Sequence, residues 1–196
     1  MEPRTSLLLY LSSLLLFHFI DAQCVDGDIK RRMFPAEVQP TSCNTDVIIR
    51  EICEHTKNPD VCISSISPYL PNIGDVDATT ILGLQIKACT NYTNVAISAV
   101  EQMVKDPKTP PLMMGCLKVC RESYGNALND LQSAVKAIEA HDSGTLNSML
   151  SAVLTDIGTC EDAFTERPGL KSPMASQDNM LSKLASNCLA IAALIK

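Results

Sequence analysis

The 196-residue chain has no tryptophan, only eight glycines and three histidines, and just two of the histidines, His55 and His141, lie beyond its apolar N-terminus. Gly-x-Ser-x-Gly, His-Glu-x-x-His and phosphate-cradling glycine loops are all absent, so the acids, bases and nucleophiles that catalysis must position have no recognisable assembly. His55 falls between two cysteines and His141 at a helix end, where a cation suits the helix dipole; neither reads as catalytic. No Asn-Gly hairpin signal and no alternating strand pattern occurs after residue 43, which excludes a sheet there. Basic residues are also in deficit, 16 against 22 acidic ones for a formal charge of -6. That balance argues against nucleic acid and anionic membrane surfaces as partners.

What is present begins with an apolar run, Leu7 to Ile20, preceded by Arg4 and followed by Ile20-Asp21-Ala22. It is too short and too poorly flanked for a membrane span and reads as a secretory signal peptide over residues 1–22. About 174 residues then remain, enough for one domain with a proper core and an appendage. Residues 23–42 carry Gly27, Pro35, Pro40 and the cluster Lys30-Arg31-Arg32 without sustained periodicity, and read as a variable leader with a solvated basic patch. All nine cysteines follow the cleavage region. In an oxidising compartment most should pair, and the odd number leaves at least one thiol.

Cys53-Glu54-His55-Thr56-Lys57-Asn58-Pro59-Asp60-Val61-Cys62 places a helix-stopping turn between two cysteines, which reads as two helices stapled across a corner. Residues 43–72 form this hairpin; Pro59 suits a first helical turn, and Pro68 with Pro71 ends the pair. Residues 73–196 carry four long segments with apolar steps of three and four. The first runs Ile81, Leu84, Ala88, Tyr92, Val95, Ala99, Met103, opened by Asp75 or Asp77 and stopped before Pro107. The second runs Leu117, Cys120, Tyr124, Leu128, Leu131, Val135, Ile138 and ends at His141-Asp142-Ser143-Gly144. The third runs from Leu146 to Phe164 and closes at Pro168-Gly169, and the fourth from Leu181 to Ile195. Short connections between such helices predict an all-α, up-down-up-down four-helix bundle carrying the hairpin.

Cys53-x-x-Thr56-x-x-Pro59-x-x-Cys62 resembles the N-terminal signature of the plant invertase and pectin methylesterase inhibitor family. Cys116-Leu117-Lys118-Val119 with Tyr124 and Ala127, Ser151 to Thr155 leading to Thr159-Cys160-Glu161-Asp162-Ala163-Phe164, and Ser186-Asn187-Cys188-Leu189-Ala190-Ile191 agree in order and spacing. The resemblance covers residues 43–196. It implies a secreted protein without catalytic chemistry or cofactor that binds pectin methylesterase or acid invertase one to one and covers the substrate cleft. It also implies a monomer when free, in the plant apoplast, and disulfides Cys53–Cys62 and Cys116–Cys160. Closing those loops contributes about 3 and about 4 kcal/mol respectively.

Cys188 then reads as a buried free thiol, Cys89 and Cys120 as a candidate third bridge, and Cys24 with Cys43 as a pair that closes the leader. A zinc site at Cys116-x-x-x-Cys120 lacks the four ligands such sites need. Asn91-Tyr92-Thr93 is an N-glycosylation acceptor at the edge of an apolar stripe, where packing hinders modification. Glu101, Glu122 and Glu139 read as solvated faces. Invertase inhibitors of the family carry a Pro-Lys-Phe element between the last two bundle helices. Here the loop reads Arg167-Pro168-Gly169-Leu170-Lys171-Ser172-Pro173, with the order changed and the aromatic missing, so Pro168, Gly169, Leu170 and Lys171 form only a candidate contact loop. The altered loop keeps open a non-inhibitory structural or allergen-like protein of the same fold. A helical carrier of an apolar ligand is the other alternative, although the Cys-Cys and Cys-x-Cys pairs of lipid-transfer proteins and storage albumins are missing.

Overall fold

Asp77 shows how this sequence starts a helix: its carboxylate accepts the Thr80 amide at 2.7 Å ahead of a 28-residue helix. That bond, first of all the one to the Thr80 backbone, holds the Asp77 carboxyl below its ordinary range. The computed structural model describes residues 41–72 and 75–195; the expected signal peptide, the expected leader as far as residue 40 and the Cys24 end of the expected Cys24–Cys43 pairing lie outside them. Six α-helices follow in order: α1 Thr41–Glu54, α2 Pro59–Ile66, α3 Ala78–Lys105, α4 Pro111–Glu139, α5 Ser143–Thr165 and α6 Ala175–Ala192. A 3-10 turn, Ser67–Asn72, follows α2 and accommodates Pro68 and Pro71. Among the described residues there is no strand, and no helix is long and apolar enough to cross a membrane.

The helix ends differ from expectation by a few residues for identifiable reasons. α1 begins at Thr41 rather than within the expected hairpin start at residue 43. α4 begins at Pro111, directly after Pro110, because a proline in the first turn sacrifices an amide that has no helical partner anyway. Ser143 and Gly144, expected to be turn, are the first turn of α5. Asp142 caps that helix, accepting the Thr145 amide at 2.9 Å and the Thr145 hydroxyl at 2.6 Å. The chain reverses between α4 and α5 at His141, whose φ of 53° is left-handed. The Asp142 amide reaches Ala137 O at 2.9 Å and the His141 amide reaches Ile138 O at 3.1 Å, the two-bond closure that normally uses glycine.

Residues 44–196 form one compact unit. Within it each long helix packs on the one before and after it, α4 on α5 most extensively, and α3 also packs along α6, closing the ring. The core runs along the bundle axis through Leu82, Ile86, Val100, Leu117, Leu131, Leu150, Ile157, Leu181, Leu184 and Ile191. The stripe expected on α5 is buried, as are Leu181, Leu184, Cys188 and Ile191 on α6, while Ile195 lies beyond the end of α6 and is half-buried. On α3 the expected stripe is corrected: Tyr92 and Val95 are exposed by 44% and 64%, whereas Leu82, Gln85, Ile86, Cys89, Thr93, Ala96 and Val100 point inward. α3 is apolar over more than half its circumference, so periodicity alone selected a face rotated toward the hairpin. Val135 on α4 is likewise exposed by 39%.

Candidate functional site

The corner between α1 and α2 is closed covalently and then hydrogen-bonded to the bundle. Cys53 and Cys62, both fully buried, are joined with a Cα separation of 5.6 Å. Thr56, inside the loop, donates its hydroxyl to Cys53 O at 2.7 Å, which turns the chain at the end of α1. Asn58 precedes Pro59, and its carbonyl accepts Asn187 Nδ2 of α6 at 3.0 Å, while Asn58 Nδ2 lies 3.5 Å from Asn187 Oδ1. Two turns further, Ser65 donates to Gln85 Oε1 of α3 at 3.2 Å. α2 therefore lies across α3 and α6, held at one end by Asn187 and at the other by Gln85. Both of those side chains are buried.

The second disulfide joins Cys120 of α4 to Cys160 of α5, with a Cα separation of 4.3 Å. This corrects the expected Cys116–Cys160 bridge and also removes Cys120 as a partner for Cys89. α4 and α5 run in opposite directions, so stepping back one turn from Cys120 to Cys116 moves the facing position one turn forward from Cys160. There the Cys116 thiol donates to Ala163 O at 3.1 Å. Cys116, Cys89 and Cys188 are free and buried. Cys89 is a core residue of α3.

Behind the Cys120–Cys160 bond sits a polar pair that sequence reasoning did not identify. Tyr124 of α4 donates its hydroxyl to Asp178 Oδ1 of α6 and lies 3.1 Å from Cys160 Sγ. Asp178 is only 3% exposed, and its Oδ2 has no hydrogen-bond partner among the described residues. Burial pushes the Asp178 carboxyl up to about 6, the Tyr124 hydroxyl pulling the other way and the Glu161 charge adding to the rise. Burial, followed by the Asp178 bond and charge, also raises Tyr124 far above its ordinary value. The signal for this pair lay in the register: Asp178 is on the same face of α6 as Leu181 and Cys188. A second raised carboxyl, Asp156 on α5, reaches about 6 through burial and then the charge and hydrogen bond of Asp130 on α4.

The remaining sequence candidates are dispersed. Asn91 is exposed on α3, and its Nδ2 donates to Tyr69 OH at 2.6 Å; Lys87 Nζ stands 4.6 Å above the same ring. Thr93, the other end of the acceptor tripeptide, is buried with its hydroxyl bonded to Cys89 O. Between α5 and α6, Gly169 turns the chain at φ 84° and the Leu170 amide bonds Arg167 O at 3.1 Å. Leu170 packs against the core, Pro168, Gly169 and Lys171 are exposed, and the Arg167 guanidinium donates to Ala163 O. Glu122 and Glu139 are exposed, and Glu101 pairs with Lys105 at 3.8 Å. His55 and His141 are exposed and far apart in sequence, and no group of three or more metal-ligating side chains occurs among the described residues.

The comparisons with known proteins agree with this frame. The chain is 27% identical over 164 residues to a pectinesterase inhibitor of Actinidia deliciosa, covering 82% of this chain and 86% of that protein. It is 27% identical over 183 residues to a Platanus orientalis protein provisionally named an invertase inhibitor, covering 93% and 96%. A crystal structure of a mutant form of a pectin methylesterase inhibitor from Arabidopsis superposes with a TM-score of 0.63 at 17% identity, over 74% of this chain and 95% of that one; this likeness speaks for the fold. The family model described as plant invertase/pectin methylesterase inhibitor matches residues 47–191, from within α1 almost to the end of α6. With both disulfides and nearly all of the hairpin and bundle inside that span, the chain belongs to the plant invertase/pectin methylesterase inhibitor family.

Proposed function

We propose that the protein is a secreted inhibitor that binds a plant cell-wall carbohydrate-active enzyme one to one and covers its substrate cleft, with pectin methylesterase as the target. The observation that carries this reading is the family match over residues 47–191. The architecture suits the role: a bundle stapled at Cys120–Cys160, with its hairpin stapled at Cys53–Cys62, loses little conformational entropy on docking. Inhibition of this kind needs shape and surface, not chemistry by the inhibitor.

The α5–α6 loop favours the esterase over invertase. Of its two large apolar residues, Leu170 turns inward against the core and Met174 is buried, which leaves Lys171 without a large apolar neighbour to enter a cleft alongside it. Acid invertase is the second reading, supported by the Platanus orientalis relative matched over nearly the full length of both chains.

Titrating the full chain against pectin methylesterase and, separately, acid invertase tests both. Loss of esterase activity saturating at equimolar inhibitor is expected, with a single 1:1 species in size-exclusion chromatography. Loss of invertase activity alone would transfer the assignment to the second reading, and Lys171→Ala should then weaken it. No loss of either activity at equimolar excess would leave a non-inhibitory member of the family.

A further inference from the structure

Asn91-Tyr92-Thr93 is the only Asn-x-Ser/Thr tripeptide in the chain, and its three side chains meet three different surroundings on α3. Asn91 is exposed, with Nδ2 donating to Tyr69 OH of the 3-10 turn at 2.6 Å. Tyr92 is exposed by 44%. Thr93 is fully buried, its hydroxyl donating to Cys89 O at 2.9 Å. The packing expected to hinder the acceptor therefore falls on Thr93 and leaves Asn91 open.

Beside Asn91 a shallow groove of about 250 Å³ runs between α3 and the segment of α2 and the 3-10 turn, with Ser64, Pro68, Tyr69, Asn91, Tyr92 and Val95 in its lining. Val95 is exposed by 64%, so two of the five large apolar side chains left in water among the described residues adjoin this one asparagine. Such a concentration on an otherwise polar surface marks a contact site. The groove is smaller than a cleft for a drug-sized ligand and suits a single sugar ring. Its Tyr69 wall is held in place, with Lys87 Nζ over the ring and Asn91 on the hydroxyl.

We propose that Asn91 carries an N-linked oligosaccharide whose innermost N-acetylglucosamine lies in this groove and covers Tyr92 and Val95. The donor is a lipid-pyrophosphate oligosaccharide of the secretory membrane. Nδ2 attacks C1 of its reducing-end sugar and the C1–oxygen bond to the pyrophosphate breaks. The lipid pyrophosphate leaves with the electron pair and one Nδ2 proton is released, so no oxidant or reductant is consumed. The second Nδ2 hydrogen remains for Tyr69 OH. A sugar ring presents polarised C–H bonds that suit the negative face of an aromatic ring, and its hydroxyls match Ser64 at the rim. Covalent attachment supplies a high effective concentration, so even weak stacking seats it.

Thr93 sets the timing. Transfer needs its hydroxyl as well as Asn91, and the folded chain buries that hydroxyl. Modification is therefore confined to the period before α3 packs, and the exposure of Asn91 lets the bundle close with the sugar in place.

Transfer rests on the secreted reading proposed above, so the test reads secretion and attachment separately. The full chain is expressed in mammalian cells held to high-mannose sugars, and the amounts in medium and cytosol are measured. The tryptic peptide Ala88 to Lys105, which holds Asn91 and Tyr92, is mapped by mass spectrometry. A sugar on Asn91 is expected in the secreted chain and none in Asn91→Gln. The secreted chain is then trimmed with endoglycosidase H to one N-acetylglucosamine and compared, by hydroxyl-radical footprinting, with the sugar-free chain refolded from bacteria. Oxidation of Tyr92 should fall several-fold in the trimmed form, while buried Tyr124 should react equally in both. A secreted chain bare at Asn91 would overturn the proposal and leave secretion standing. A chain kept in the cytosol would overturn the secreted reading and this proposal with it. A sugar that leaves Tyr92 as reactive as in the bare chain would overturn its seating in the groove.

Discussion

Asp178 gives the sharpest test of the core. Its carboxyl sits at 3% exposure between α4 and α6, bonded through one oxygen to Tyr124 and unpartnered at the other. In the folded chain it titrates at about 6 against an ordinary 3.8, with burial the first cause. A carboxyl whose folded value is raised binds more protons in the folded state between those two values. Stability is therefore greatest below about pH 4, falls as pH rises through about 6, and stays lower above it. A rise of about two pKa units corresponds to roughly 3 kcal/mol. Asp178→Asn keeps an oxygen for the Tyr124 hydroxyl and removes the charge, so it should be close to neutral at pH 4 and stabilising at pH 7. With a urea dependence of roughly 1–3 kcal/mol per molar, the pH 7 unfolding midpoint should rise by about 1–3 M. Urea titrations by circular dichroism at intervals from pH 4 to 8, with disulfides intact, measure this. A variant whose midpoint follows pH as steeply as the parent would refute the reasoning. Asp156, raised for the same first reason and then by Asp130, should account for the slope that survives, and Asp156→Asn combined with Asp178→Asn should flatten it.

Three further outcomes follow from the disulfides, the reverse turn and the hairpin anchor. Cys120→Ser should lower stability by about 4 kcal/mol in non-reducing thermal melts, because it opens the loop to Cys160, whereas Cys116→Ser should leave that bond intact by peptide mapping. His141→Gly should stabilise the chain by up to about 1 kcal/mol in denaturant titrations, since His141 carries a Cβ at φ 53° in a position glycine fills without strain. Asn187→Ala removes the donor to Asn58 O and should cost about 1–3 kcal/mol. Hydrogen exchange should locate that loss in α2 before the bundle; uniform loss across α3 to α6 would show that Asn187 supports the core instead.

Much of the fold was legible because it rests on local physics. Breaks at Pro59, Pro107 and Pro168, a cap at Asp77, and three-and-four spacing in α5 and α6 define helices by geometry that neighbours share. The family signature around Cys53, Cys62 and Cys160 was legible for a similar reason, since spacing along the chain carries it. Rotation of α3 was not: where apolar residues cover more than half of a helix, the inward face is chosen by what α4 and α6 present. Tyr92 and Val95 then fall outside and Thr93 and Cys89 inside.

The sequence by itself determined an all-helical chain, its element order, its hairpin corner and its family, because propensity, proline, capping and cysteine spacing act over a few residues. Tertiary structure alone decided which cysteine meets Cys160, which carboxyl is kept from water and which amides fasten α2 to the bundle. Cys116 and Cys120 are one turn apart on the same face of one helix, and nothing along the chain distinguishes them. Only the antiparallel register of α4 against α5 brings Cys120 level with Cys160 and leaves Cys116 beside Ala163.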